Sequence, residues 1–198
     1  MRYEINLRVR LKIPDVTAIT ARQTLQRRLG YAEVLLALQR EDDWRLTVEV
    51  PDEAAAQALG VELAEGTNLF VNPNKHTYIC RVSRGHSGPE KEDSLPLSLA
   101  KAESPVSPPG GEGAIFKVAV LTGFYEDASA SLTLEALRNR LGYGDPVVEV
   151  ERGTRWTFTL RADTPEEARR LVEEMVVTRG AHRGLLINPH SQWWRWVD

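Results

Sequence analysis

Leu25-Gln26-Arg27-Arg28-Leu29-Gly30-Tyr31 returns later in the chain as Leu137-Arg138-Asn139-Arg140-Leu141-Gly142-Tyr143, at an offset of 112 residues (137 − 25). The same offset carries Trp44 onto Trp156 and Thr47 onto Thr159. Further on, Leu69-Phe70-Val71-Asn72-Pro73 returns as Leu185-Leu186-Ile187-Asn188-Pro189 at an offset of 116, so the second copy has gained four residues between these blocks (116 − 112). Self-similarity of this kind decides the fold before any single element does. Two copies are too few for a solenoid, so each copy folds by itself or the two pair. The reading is a first repeat over 1–83, a linker over 84–113 and a second repeat over 114–198.

The linker stands out by composition. Gly, Pro and Ser supply fifteen of its thirty residues, and it has no sustained apolar periodicity. Such a segment buries too little to offset its ordering entropy, which predicts a flexible tether. As a coil it spans about 30 Å, enough for several arrangements of the repeats. Leu95, Leu97 and Leu99 alternate within it and could dock on a neighbouring sheet edge.

Within the first repeat, Ile5, Leu7, Val9 and Leu11 alternate with Asn6, Arg8, Arg10 and Lys12, the pattern of a half-buried strand. Ala18, Ala21, Leu25 and Leu29 then fall at helical spacing, and Gly30 sits where a C′ glycine closes a helix. Strands are predicted over Val34 to Leu38 and Trp44 to Val50, joined as a hairpin across Glu41-Asp42-Asp43. Asp52 caps an alanine-rich helix from Glu53 to Ala64, and a last strand runs from Lys75 to Val82. The second repeat follows the same order, with its hairpin turn at Arg152-Gly153-Thr154, a helix capped by Thr164 and a closing strand from Gln192 to Val197. The expected class is α+β: two βαββαβ units, each an antiparallel sheet with helices on one face, packed as an intrachain pseudo-dimer. A unit this small with an open sheet face is marginal alone, and its twin is the nearest cover.

Composition narrows the function. The hydrophobic fraction of 42% supports packed cores, and the net charge of −3 argues against a general polyanion-binding role, so no nucleic-acid partner is expected. No apolar run approaches the length of a bilayer span, and the N-terminus enters a strand pattern at once, so the expectation is a cytoplasmic protein with no membrane partner. Cys80, the one cysteine, lies in a predicted strand and reads as a packing residue. Gly110-Gly111-Glu112-Gly113 lacks the strand and lysine of a phosphate loop. His76, His86, His182 and His190 have no acidic or cysteine partner at metal-ligand spacing. No catalytic, cofactor-binding or metal-ligating residues are assigned.

Two features remain as candidate interface residues. Asn72-Pro73 and Asn188-Pro189 recur between the second helix and the last strand of each repeat. They read either as turn chemistry or as loops presenting an amide to a partner. Trp193-Trp194-Arg195-Trp196 places Trp194 and Trp196 on one face of a strand, and Trp193 and Arg195 on the other. One pair can fill the core. The opposite Trp and Arg are types favoured at protein interfaces, while plain sheet packing and a base-stacking platform are the other readings.

The charged first strand, the helix ending in Leu29-Gly30-Tyr31 or Leu141-Gly142-Tyr143, the following strands with Gly153 at the second turn, and the Asn-Pro blocks come in one order, twice. In this the chain resembles PurS, the small subunit of formylglycinamide ribonucleotide amidotransferase (phosphoribosylformylglycinamidine synthase), as a tandem duplication that covers nearly everything but the linker. The resemblance implies a non-catalytic subunit of an ATP- and glutamine-dependent C–N ligase complex of purine biosynthesis. Its partners would be the glutaminase subunit and the ATP-dependent synthetase subunit, with self-association into a homo-oligomer also open. No cofactor would be bound by this chain; ATP and glutamine would be used by the complex. The tandem arrangement, the acidic Glu41-Asp42-Asp43 in place of a turn glycine and the tryptophan-rich closing strand depart from the family's pattern. The alternative is an ACT-like small-molecule-binding regulatory module, which also pairs βαββαβ units. A Gly-rich first strand-to-helix loop would favour it, and these loops hold only Gly123 in one repeat and Pro14-Asp15 in the other.

Overall fold

The computed structural model describes residues 1–85, 113–180 and 183–197. Most of the proposed linker, with Leu95, Leu97 and Leu99, and also His86 and His182, lies outside the described residues. The first repeat contains β1 (Arg2–Leu11), α1 (Val16–Arg28), β2 (Leu35–Glu49), α2 (Glu53–Gly66) and β3 (His76–Arg84). The second contains β4 (Ala114–Phe124), α3 (Ala128–Asn139), β5 (Val147–Ala162), α4 (Pro165–Val176) and β6 (Gln192–Val197). The class is α+β, with a six-stranded sheet in the order β3-β1-β2-β5-β4-β6.

The two expected hairpins are absent. Glu41-Asp42-Asp43 and Arg152-Gly153-Thr154 lie inside the continuous strands β2 and β5, so each repeat is βαβαβ and not βαββαβ. The acidic triplet has a use in the sheet that a turn would forfeit. Asp43 stands opposite Arg8 in the β1–β2 register, accepts a hydrogen bond from Asn6 Nδ2 at 2.8 Å and lies 3.6 Å from Arg45 Nε. Only 4% of it is exposed, and its charge is met by these partners. Gly153 takes no positive φ, so nothing in its backbone turns the chain.

The helices start and stop as their sequences dictate. Asp15 and Asp127, 112 residues apart, cap α1 and α3 identically. Each side chain accepts from the N–H two residues on at 2.8 Å and three residues on at 3.2 Å. Gly30 and Gly142 follow the two helices at φ +82 and +79, the left-handed geometry that glycine adopts without strain. Asp52 and Thr164 cap α2 and α4.

The chain forms two compact units, and these are not the two sequence repeats. Among the described residues, one unit comprises 1–13, 41–85 and 126–154; the other comprises 14–40, 113–125, 155–180 and 183–197. The first unit therefore joins β1, α2, β3 and the second part of β2 to α3 and the first part of β5. Its core packs Ile5, Leu7, Leu46 and Leu63 of repeat one against Ala130, Leu137 and Val150 of repeat two. In the second unit, Phe158, Leu160, Val172 and Met175 of repeat two meet Ala18, Leu25, Leu35 and Leu38 of repeat one. Each repeat has given its first helix to the unit built on the other.

Polar contacts in the two units match across this exchange. In the first unit Glu49 N–H donates to Pro146 O; in the second, Arg161 N–H donates to Val34 O, both at 2.8 Å. These are the same pair of positions with the repeats interchanged. Tyr143, just after α3, donates its hydroxyl to Glu62 of α2 at 2.7 Å. Its counterpart Tyr31, after α1, is held above the usual phenol range by burial and by the charge of Glu174 on α4.

Candidate functional site

Asn72 and Asn188 build the same turn. The Asn72 Oδ1 accepts from Asn74 N–H at 3.0 Å, and its carbonyl accepts from Lys75 and His76 N–H at 3.0 and 2.8 Å. Asn188 repeats this with His190, Ser191 and Gln192, at 3.0, 3.1 and 2.9 Å. A side chain four residues on closes each turn: His76 Nδ1 accepts from Asn72 N–H at 3.1 Å, and Gln192 Oε1 from Asn188 N–H at 2.8 Å. The asparagine oxygens thus serve the backbone, which is the turn-chemistry reading of the two motifs. The preceding apolar residues anchor the loops. Phe70 and Val71 are buried in one core, with Phe70 edge-on to Trp44 at 5.1 Å, and Ile187 is buried in the other.

The surroundings of the two turns differ. In the first unit, Lys12 at the end of β1 donates its N–H to Lys75 O at 2.8 Å and its ammonium to Pro73 O at 2.7 Å. In the second unit the sheet register places Tyr125 where Lys12 stands in the first. There Tyr125 N–H donates to Ser191 O at 3.2 Å, and Trp193 Nε1 donates to Phe124 O at 3.0 Å. A flexible, charged closure has been replaced by a rigid aromatic one.

Gly123 makes that replacement fit. It faces Trp193 in the β4–β6 register, and a Cβ there would lie 2.2 Å from the indole ring. The equivalent pair in the first unit is Arg10 opposite Thr77, a large residue on the inner strand and a small one on the edge. Repeat two has exchanged the sizes. The Arg195 guanidinium stands 5.0 Å from the Trp193 ring centroid, a cation–π geometry. Trp194 and Trp196 pack against the buried core of this unit, edge to face at 5.0 Å. Beside the Trp193–Arg195 pair, Phe124 is 53% and Tyr125 65% exposed.

The structure therefore brings Asn188, Pro189, Trp193 and Arg195 to one end of the second unit, and places Asn72 and Pro73 at the equivalent end of the first. Sequence reasoning missed Gly123, Phe124 and Tyr125 as members of this cluster. A glycine inside a strand pattern was the available signal, since it marks close approach by a neighbour. Exposed aromatics beside an arginine form the composition of an interface centre, because large rigid side chains gain contact area at small entropic cost.

Cys80 is half-buried behind Gly60, and burial pushes its thiol above the usual range, which disfavours the thiolate a nucleophile requires. Among the described residues no group of His, Cys, Asp and Glu is arranged to hold a metal, and no helix is long and apolar enough to cross a membrane. Comparison with known proteins returns no matching family model, no matching curated protein and no matching solved structure.

Proposed function

We infer that the chain is a non-catalytic bridging subunit, a single-chain counterpart of a dimer of PurS-type subunits. In this reading it holds the glutaminase subunit of formylglycinamide ribonucleotide amidotransferase against the ATP-dependent synthetase subunit. The observation that carries the inference is the reciprocal exchange of α1 and α3, with Glu49–Pro146 in one unit answered by Arg161–Val34 in the other. Contacts that interchange in this way are those expected of an isologous two-fold dimer, which supports this reading.

Duplication within one chain permits what a homodimer cannot do: the two equivalent ends can differ. One carries Lys12 and His76 around its Asn-Pro turn, the other Phe124, Tyr125 and Trp193. A bridge between two unlike subunits uses such a difference. Its contribution to catalysis is positional, because ammonia released at one active site must reach the other before it escapes to water.

The test is reconstitution with the synthetase and glutaminase subunits of the same organism, in the presence of glutamine and ADP. A stable ternary complex is expected, together with glutamine-dependent amidation that needs this chain and ammonia-dependent amidation that does not. Full glutamine-dependent activity without the chain would remove the proposal.

A further inference from the structure

The chain as a whole is acidic, yet one part of it is not. Residues 1–12 and 75–85, which form β1, β3 and their ends, carry seven Lys and Arg side chains against a single acid, Glu4. The fold sets these two distant segments side by side, with Leu7 opposite Cys80 and Arg8 opposite Ile79. On the face away from the core, Arg8, Arg10 and Arg81 surround Ile79, which is 48% exposed. Arg10 Nε donates to Thr77 Oγ1 at 3.1 Å, whereas the side chains of Arg8 and Arg81 make no hydrogen bond or ion pair among the described residues. The nearby Asp43 is already engaged by Asn6 and Arg45.

β3 is also the last strand of the sheet, and among the described residues no strand pairs with its outer edge. It is nine residues long, and its other face carries Tyr78, Cys80 and Val82, packed on the core but only partly covered. The edge thus offers backbone hydrogen-bonding groups, Arg81 on one face with Arg8 and Arg10 one strand further in, and a row of apolar side chains on the other. Natural sheets protect edges with charge, which keeps like edges apart and admits a segment of the opposite charge. A row of arginines would also suit phosphates, but single-stranded nucleic acid is held by aromatic platforms, and none of the residues on the arginine face of β1 and β3 is aromatic.

We propose that the β3 edge binds an acidic, extended peptide segment of a partner protein by strand addition. Alternate acidic side chains face Arg81 directly and meet Arg8 and Arg10 reaching across β3, and the intervening apolar ones lie beside Tyr78, Cys80 and Val82. Main-chain hydrogen bonds supply affinity, and the alternation of side chains supplies selectivity. Successive acids on such a strand are about 7 Å apart, the same repeat as Arg8 and Arg10 on β1. The proposal does not rest on the amidotransferase reading and survives its failure.

The experiment is fluorescence anisotropy on the full chain with a labelled peptide of alternating glutamate and valine, matched to the nine residues of β3. Saturable binding at low salt is expected, weakened about tenfold or more by the combined substitutions Arg8→Gln, Arg10→Gln and Arg81→Gln. The same peptide with alternate amides N-methylated should lose binding to the unaltered chain, which tests the main-chain contribution even if the triple variant folds poorly. No binding overturns the proposal. So does equal binding of the N-methylated peptide, or tighter binding of a uridine oligonucleotide of equal charge, which would assign the surface to nucleic acid instead.

Discussion

Gly123 has no room for a side chain, because the Trp193 ring occupies the space a Cβ would need. Gly123→Ala should cost about 1–3 kcal/mol, the range for forcing a methyl into packed surroundings. Gly123→Arg combined with Trp193→Thr restores the pairing of Arg10 and Thr77, and should recover most of what Gly123→Arg alone loses. Denaturant titrations of the single and double variants measure this coupling, and strictly additive losses would show that the contact is not the cause. Tyr78 gives a second prediction at this scale. Burial, then its 2.7 Å hydrogen bond to Glu65 and that carboxylate's charge, push its phenol from 10.0 to about 12. The neutral form is favoured in the folded state, so this contribution is complete below about pH 10 and is lost as pH rises through about 12. Tyr78→Phe should flatten the fall of stability with pH across that window.

Exchange of the helices is an event at the scale of elements, and it reverses an ordinary expectation about mutations. Leu137 lies in repeat two but is fully buried in the core of Ile5, Leu7 and Leu63. Leu137→Ala should cost about 2–5 kcal/mol. Hydrogen exchange should then show protection lost first in β1, α2 and β3, which belong to the other repeat, with β4, β6 and α4 less affected. Loss confined to repeat two would contradict the exchanged arrangement. The strands carry a related lesson. Charged residues between two apolar runs read as a hairpin turn when only their own segment is considered. Arg8 and Asn6 of β1, more than thirty positions from Asp43, turn the same residues into the middle of a strand.

For the whole molecule, the exchange makes each repeat dependent on its twin. Residues 1–85 alone lack α3 and the first part of β5, which complete the first unit's core. This fragment should fold only by borrowing α1 from a second copy of itself. Its thermal midpoint should then rise with concentration, as expected when folding is linked to dimerisation. Cooperative, concentration-independent unfolding of a monomeric fragment would contradict this. Charge behaves similarly at this scale. A net charge of −3 argues against anion binding only if charge is spread evenly, and the sheet concentrates five arginines on two adjacent strands, with Lys12 and Lys75 at their ends.

What the sequence determined by itself is whatever depends on neighbours a few positions away. The caps Asp15, Asp52, Asp127 and Thr164, the helix-closing Gly30 and Gly142, the Asn-Pro turns and the strand alternation of β1 all belong to this class. Each is set by a hydrogen bond or a backbone preference spanning four residues or fewer, and the duplication was legible by direct comparison. Tertiary structure alone decided which helix completes which core, that β2 and β5 run unbroken through their charged middles, and that Gly123, Phe124 and Tyr125 join Trp193. The physical reason is common to all three. The partner that fixes each choice lies dozens of residues away, and an apolar helix face fits either twin's core equally well until the strands bring one of them within reach.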